Sequence, residues 1–205
     1  HKGGTIDPPS GCPGDTKKPP SWDSPQVCKF KGAKYVGTEW VLSPGLYPGG
    51  LDLSSGTFYL KPGIYYVAGG GISIGGQDAT AFSADSSGNV AGSGKAVGGV
   101  LLFNTDHPSV GWKPVSMNGG YADFELLPLD LPATDADSIF NGIVIFNDRN
   151  YPTDPNVKAV TLNGGGSNFD LRGTVYAPAG TVYVNGNSAT DALGNPLEFT
   201  LDQVI

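Results

Sequence analysis

Two short stretches of the chain bring carboxylates next to a guanidinium. Asp148-Arg149 stand with Asp154 in NDRNYPTDPN (147–156), and Asp170 stands with Arg172 in FDLRG (169–173); these hold the only two arginines. Clustered carboxylates can hold a calcium ion, and a carboxylate beside a cation can do acid–base work. Asp148, Arg149, Asp154, Asp170 and Arg172 are therefore the candidates for a ligand or calcium site. Each group also has a plainer use. Asp170 and Arg172 are two apart, so on a strand they share one face as a solvent-facing ion pair, opposite Phe169 and Leu171. Asp148 and Asp154 lie among Asn and Pro, where short acidic side chains bond the backbone amides of a turn. The plainer use is the one the sequence favours.

Other chemistry is sparse, and no arrangement of a nucleophile with a base stands out. Cys12 and Cys28 flank a Pro-rich stretch, and a bridge between them would close a loop of roughly 15 residues, worth ~3 kcal/mol in the chain-entropy model. Such a pair points to an oxidising compartment. A zinc site needs two further ligands, and neither His1 nor His107 has the spacing to supply one, so no zinc centre is expected. His107, in a TDHP turn, reads as a lone surface histidine. GSGK (92–95) lacks the upstream glycine and the following Ser or Thr of a phosphate loop.

The elements that must position these residues are strands. In 205 residues there are 32 Gly and 17 Pro, and the 39% hydrophobic residues fall in short runs between them, the texture of many short strands joined by tight turns. The net charge of −7 leaves no electrostatic footprint for DNA or RNA. There is no run of 18 apolar residues, the length a membrane-crossing helix needs, and His1 in place of Met points to a processed or excised segment. Residues 1–26, with six prolines and no hydrophobic periodicity, read as a surface leader, and residues 27–205 as the domain. The small, polar stretch 77–96 reads as an excursion from it.

The domain repeats itself. LSPGLY (42–47) returns as LKPGIY (60–65), and GVLLFN (99–104) returns as GIVIFN (142–147). KPVSMNGGYADFEL (113–126) returns as KAVTLNGGGSNFDL (158–171). Asn-Gly pairs at Asn118, Asn141, Asn163 and Asn185 follow one another at steps of 23, 22 and 22, each Asn preceded by an apolar residue. A step near 22 is the length of one coil of a solenoid, and the longer repeats then read as a two-coil unit occurring twice. The fold expected is all-β: a right-handed parallel β-helix of about six to seven coils with a Pro-rich, disulfide-linked N-terminal segment. The four asparagines would stack at one corner as a structural ladder. An antiparallel sandwich with a hairpin at each Asn-Gly explains the 22-residue step poorly.

GIVIFNDRN (142–150) and VTLNGGGSNFDLRGTVYAPAGTVYVNGNS (160–188) resemble the C-terminal extracellular region of TadE/TadG-like proteins of bacterial Tad (Flp) pilus systems, and PGIYY (62–66) resembles the opening of that region. The resemblance implies an extracellular or cell-surface location and a non-enzymatic, structural or adhesive role. Its partners would be pilus or surface subunits, or further copies of itself in a filament. It carries over no catalytic residue. The alternative is a carbohydrate-binding or polysaccharide-degrading β-helix, with Trp40, Trp112 and tyrosines as a sugar-stacking strip. The C-terminal LEFTLDQVI (197–205) is strand-like and reads as a cap or as an edge offered to a neighbour.

Overall fold

A computed structural model describes residues 21–31, 36–91, 96–118, 124–164, 169–186 and 199–205. Among these residues it is all-β, with fourteen strands in a single sheet, and every pairing between those strands is parallel. No α-helix occurs among the described residues. Parallel strands cannot be joined by a two-residue turn, so each must meet its partner after the chain has travelled elsewhere and returned.

The strands stack in three series. The first runs β1 (Cys28–Phe30), the start of β4 (Leu51–Leu60), the start of β6 (Ile72–Ser83), β8 (Val115–Asn118), β11 (Lys158–Gly164) and β13 (Thr181–Gly186). The second runs β2 (Glu39–Leu42), the ends of β4 and β6, β9 (Phe124–Leu126), the start of β12 (Phe169–Tyr176) and β14 (Phe199–Val204). The third runs β3 (Gly45–Pro48), β5 (Gly63–Ala68), β7 (Val100–Thr105), β10 (Ile143–Asn147) and the end of β12. The chain visits the series in rotation, which is why β4, β6 and β12 each belong to two.

Alternation sets what faces inward. Along β4 the buried positions include Leu51, Leu53, Phe58 and Leu60, and each continues a column formed by its neighbours in the stack. In the first series Phe30, Leu53, Ile74, Met117 and Leu162 are in register and all are buried. In the second, Phe58 sits beside Ala81, which sits beside Phe124 and then Phe169. Large and small side chains thus share one level of the core, as close packing requires. Tyr47 and Tyr65 are buried with their hydroxyls satisfied: Tyr47 donates to the Ser43 carbonyl at 2.6 Å, and Tyr65 donates to Leu42 and Lys61 carbonyls at 2.8 and 2.9 Å. This accounts for the repeated Pro-Gly-apolar-Tyr segments, because each tyrosine closes the corner four residues behind it. The corners also demand glycine in places. Gly70 has φ +69°, and a Cβ there would lie 1.9 Å from the Gly49 carbonyl oxygen.

The register corrects the two-coil unit. Phe103 pairs with Phe146 and Asn104 with Asn147, so GVLLFN lies directly against GIVIFN. In the first series the steps Lys29–Asp52–Ser73–Ser116–Thr161–Tyr183 are 23, 21, 43, 45 and 22 residues. The long steps are single passes lengthened by excursions that include 84–91 and 96–99, 106–114, 127–142 and 148–157. Residues 77–83, expected in an excursion, instead continue β6. Residues 21–26 contact the domain: the Gln26 amide donates to the Pro48 carbonyl at 2.8 Å, and Trp22 lies against His107. Cys28 is buried at the head of β1, and Cys12, its expected partner, lies outside the described residues.

Candidate functional site

The most distinctive surface is the outer side of the third series. Tyr66, Phe103, Phe146 and Tyr176 are in register on successive strands, and their rings stack at 4.9, 4.8 and 4.7 Å with interplanar angles of 16°, 10° and 25°. The spacing is the strand spacing itself, so backbone pairing holds the rings face to face. Excursion 127–142 folds over this side. Its 3-10 helix (Ala136–Phe140) is capped by Asp135, which accepts from the Asp137 amide at 2.9 Å, and delivers Phe140 edge-on to Phe103 and Phe146 at 6.1 and 5.6 Å. Leu101 and Val144, on the same two strands as Phe103 and Phe146, are fully buried. Where the excursion stops, a groove of about 500 Å³ remains. Pro44, Gly63 and Ile64 form its floor, and Tyr66, Phe103, Leu131, Asp137 and Phe140 its walls.

Behind the stack lies a polar pair. Asn104 and Asn147 are both fully buried, and Asn104 Nδ2 donates to Asn147 Oδ1 at 2.9 Å. Asn104 Nδ2 also donates to the Lys113 carbonyl at 3.0 Å; Asn147 Oδ1 accepts from Trp112 Nε1 at 3.2 Å, and its Nδ2 donates to the Asp148 and Tyr151 carbonyls. Excursions 106–114 and 148–157 are therefore tied to the core by one amide pair. Asp148 continues the same corner, accepting from the Thr105 hydroxyl at 2.6 Å and from the Asn150 amide and side chain at 3.0 Å. Burial pushes the Tyr66 phenol up, and the Asp148 charge pushes the same way. The Tyr151 phenol is raised by its hydrogen bond to Asp106 at 3.1 Å, then by the charge of that carboxylate.

The predicted site residues do not meet as one centre. Asp148 and Asp154 each anchor a turn; Asp154 Oδ1 accepts from the Asn156 amide and side chain at 2.9 and 3.0 Å. Arg149 is exposed. Asp170 and Arg172 pair on β12 at 2.6 Å, and Arg172 also reaches Glu125 at 3.7 Å. Among the described residues no three metal-ligating side chains come together. Of the four asparagines, Asn118, Asn163 and Asn185 are in register on β8, β11 and β13. Asn141 is not with them: it ends the 3-10 helix, accepting from the Leu131 amide and donating to the Leu131 carbonyl at 2.8 Å. Its 22-residue spacing arises because it falls midway along a lengthened pass.

Other expectations are also revised. His107 is buried, with Nε2 2.9 Å from the Trp22 carbonyl and Nδ1 accepting from the Ser109 amide at 3.2 Å. Trp40 packs edge-on against Phe30 at 4.8 Å, and Trp40 and Trp112 are both half-buried against the core. GSGK (92–95) lies outside the described residues. The buried asparagine pair and the aromatic stack were missed, although the repeated Phe-Asn of GVLLFN and GIVIFN carries both. Neither a protein-family model, nor a curated protein, nor a solved structure matches this chain.

Proposed function

We propose that the chain is a structural or adhesive module of the bacterial cell surface, a pilus-associated or filament-forming subunit, working as a rigid spacer that joins its neighbours end to end. In this reading the three series wind as a right-handed parallel β-helix of about six to seven coils, right-handed because parallel crossovers in one sheet almost always are. The likeness of residues 142–188 to the extracellular region of TadE/TadG-like proteins supports the surface location. A Cys12–Cys28 bridge belongs to the same reading, with Cys28 buried at the head of β1. Asn118, Asn163 and Asn185, in register at one corner, would bond through their amides up the stack.

One observation carries the end-to-end role. Val184 stands in the inward column of Met117 and Leu162, which are fully buried, yet it is 43% exposed. Beside it on β13, Tyr183 is 40% exposed. A strand whose inward position meets solvent is an edge that another strand can extend, and a charge placed on it blocks pairing. The test is Val184→Lys, compared with the unaltered chain by light scattering across a wide concentration range. Concentration-dependent growth that the lysine abolishes supports the proposal. A chain that stays monomeric in both forms, or one that depolymerises a polyuronate, overturns it.

A further inference from the structure

The groove at the open end of the aromatic stack has a chemistry of its own. Tyr66, Phe103, Leu131 and Phe140 line it, and Asp137 is the one charged side chain among the described residues that do so. Ile139, next to Phe140, is 78% exposed, so the apolar surface continues past the rim. Excursion 127–142, which builds this wall, carries Asp130, Asp135 and Asp137 and no Lys or Arg. A saccharide needs several convergent donors and acceptors, and one carboxylate does not supply them. An exposed apolar surface with a carboxylate in its lining, carried on a segment that holds acidic residues and no basic one, suits a protein segment that brings a cation beside an apolar side chain.

We infer that the groove docks a partner protein through a segment that presents a bulky apolar side chain next to a Lys or Arg. The apolar side chain enters between Ile64 and Phe140, against the edges of Tyr66 and Phe103, and the cation meets Asp137. A volume of about 500 Å³ takes one aromatic side chain with its flanking backbone. This rests on reading the chain as an assembly module, for which a second, lateral contact supplies what end-to-end pairing does not.

The probe is a labelled peptide, acetyl-Gly-Lys-Phe-Lys-Gly-amide, followed by fluorescence anisotropy, with the Glu-Phe-Glu counterpart and an N-acetylglucosamine oligomer as competitors. The basic peptide is expected to bind saturably, and the acidic one about tenfold more weakly. Asp137→Asn should weaken the basic peptide by about three- to fivefold, the scale of one partly screened charge pair, while leaving the melting temperature in place. Phe140→Ala should abolish binding. No saturable binding, equal binding of the two peptides, indifference to Asp137→Asn, or displacement by the sugar would each overturn the inference. Sedimentation of the same samples separates it from the assembly reading: peptide binding by a chain that never assembles leaves the groove standing and removes the filament, and assembly without peptide binding does the reverse.

Discussion

Replacing Asn147 by alanine tests how the core is specified. The side chain accepts from Asn104 Nδ2 and Trp112 Nε1 and donates to the Asp148 and Tyr151 carbonyls. Asn104 keeps its bond to the Lys113 carbonyl, and the half-buried Trp112 nitrogen can reach water, so not every partner is stranded. Two of the four partners left unsatisfied, at about 1–3 kcal/mol each, give a loss of roughly 3 kcal/mol. That is a large part of a typical domain stability and corresponds to a fall of roughly 6–12 °C in melting temperature for a chain of this size. Urea unfolding followed by tryptophan fluorescence measures it, with an unchanged slope marking a pure stability effect. Asn163→Ala is the control: this residue is half-exposed in the corner column with Asn118 and Asn185, and its loss should cost below about 1 kcal/mol. A loss under about 1 kcal/mol for Asn147→Ala, or an equal loss for Asn163→Ala, would refute the assignment of the stabilising asparagines to the buried pair.

Three further outcomes are expected. Gly70→Ala forces a side chain toward the Gly49 carbonyl at a positive φ, and soluble yield and melting temperature should both drop, by more than about 2 kcal/mol in stability. Burial raises the phenols of Tyr47 and Tyr65 above their unfolded value of 10.0, so the stability they contribute is fully present below pH 10.0 and drains away as the pH climbs beyond it; circular dichroism should show unfolding on the alkaline side. Arg172→Ala should change stability by less than about 1 kcal/mol, since its pair with Asp170 is half in solvent, and millimolar calcium should not shift the melting curve, because Asp148 and Asp154 already hold turn amides.

The strands and their parallel stacking were legible because alternation and repetition are local signals. VSMN, VTLN and VYVN announce three members of one series, and the structure puts them in register. Step length was not legible. Excursions at 127–142 and 148–157 stretch one pass to 45 residues, and sequence spacing alone cannot separate a lengthened pass from two short ones. Asn141 was caught by that ambiguity. The aromatic stack hid for the same reason, since Tyr66, Phe103, Phe146 and Tyr176 are 37, 43 and 30 residues apart and align only once the register is known. Asn104 and Asn147 follow strand residues just before a loop, a place where asparagine ordinarily faces water as a turn former, so their burial had no local sign. His107 is similar: its partner, the Trp22 carbonyl, is 85 residues away.

Electron microscopy of the purified chain at high concentration tests whether the modules join end to end. Unbranched filaments one module wide are expected, with diffraction carrying an axial repeat near the ~4.8 Å strand spacing, because stacked strands would continue across each junction. A field of separate particles, each the size of one chain, would contradict end-to-end joining.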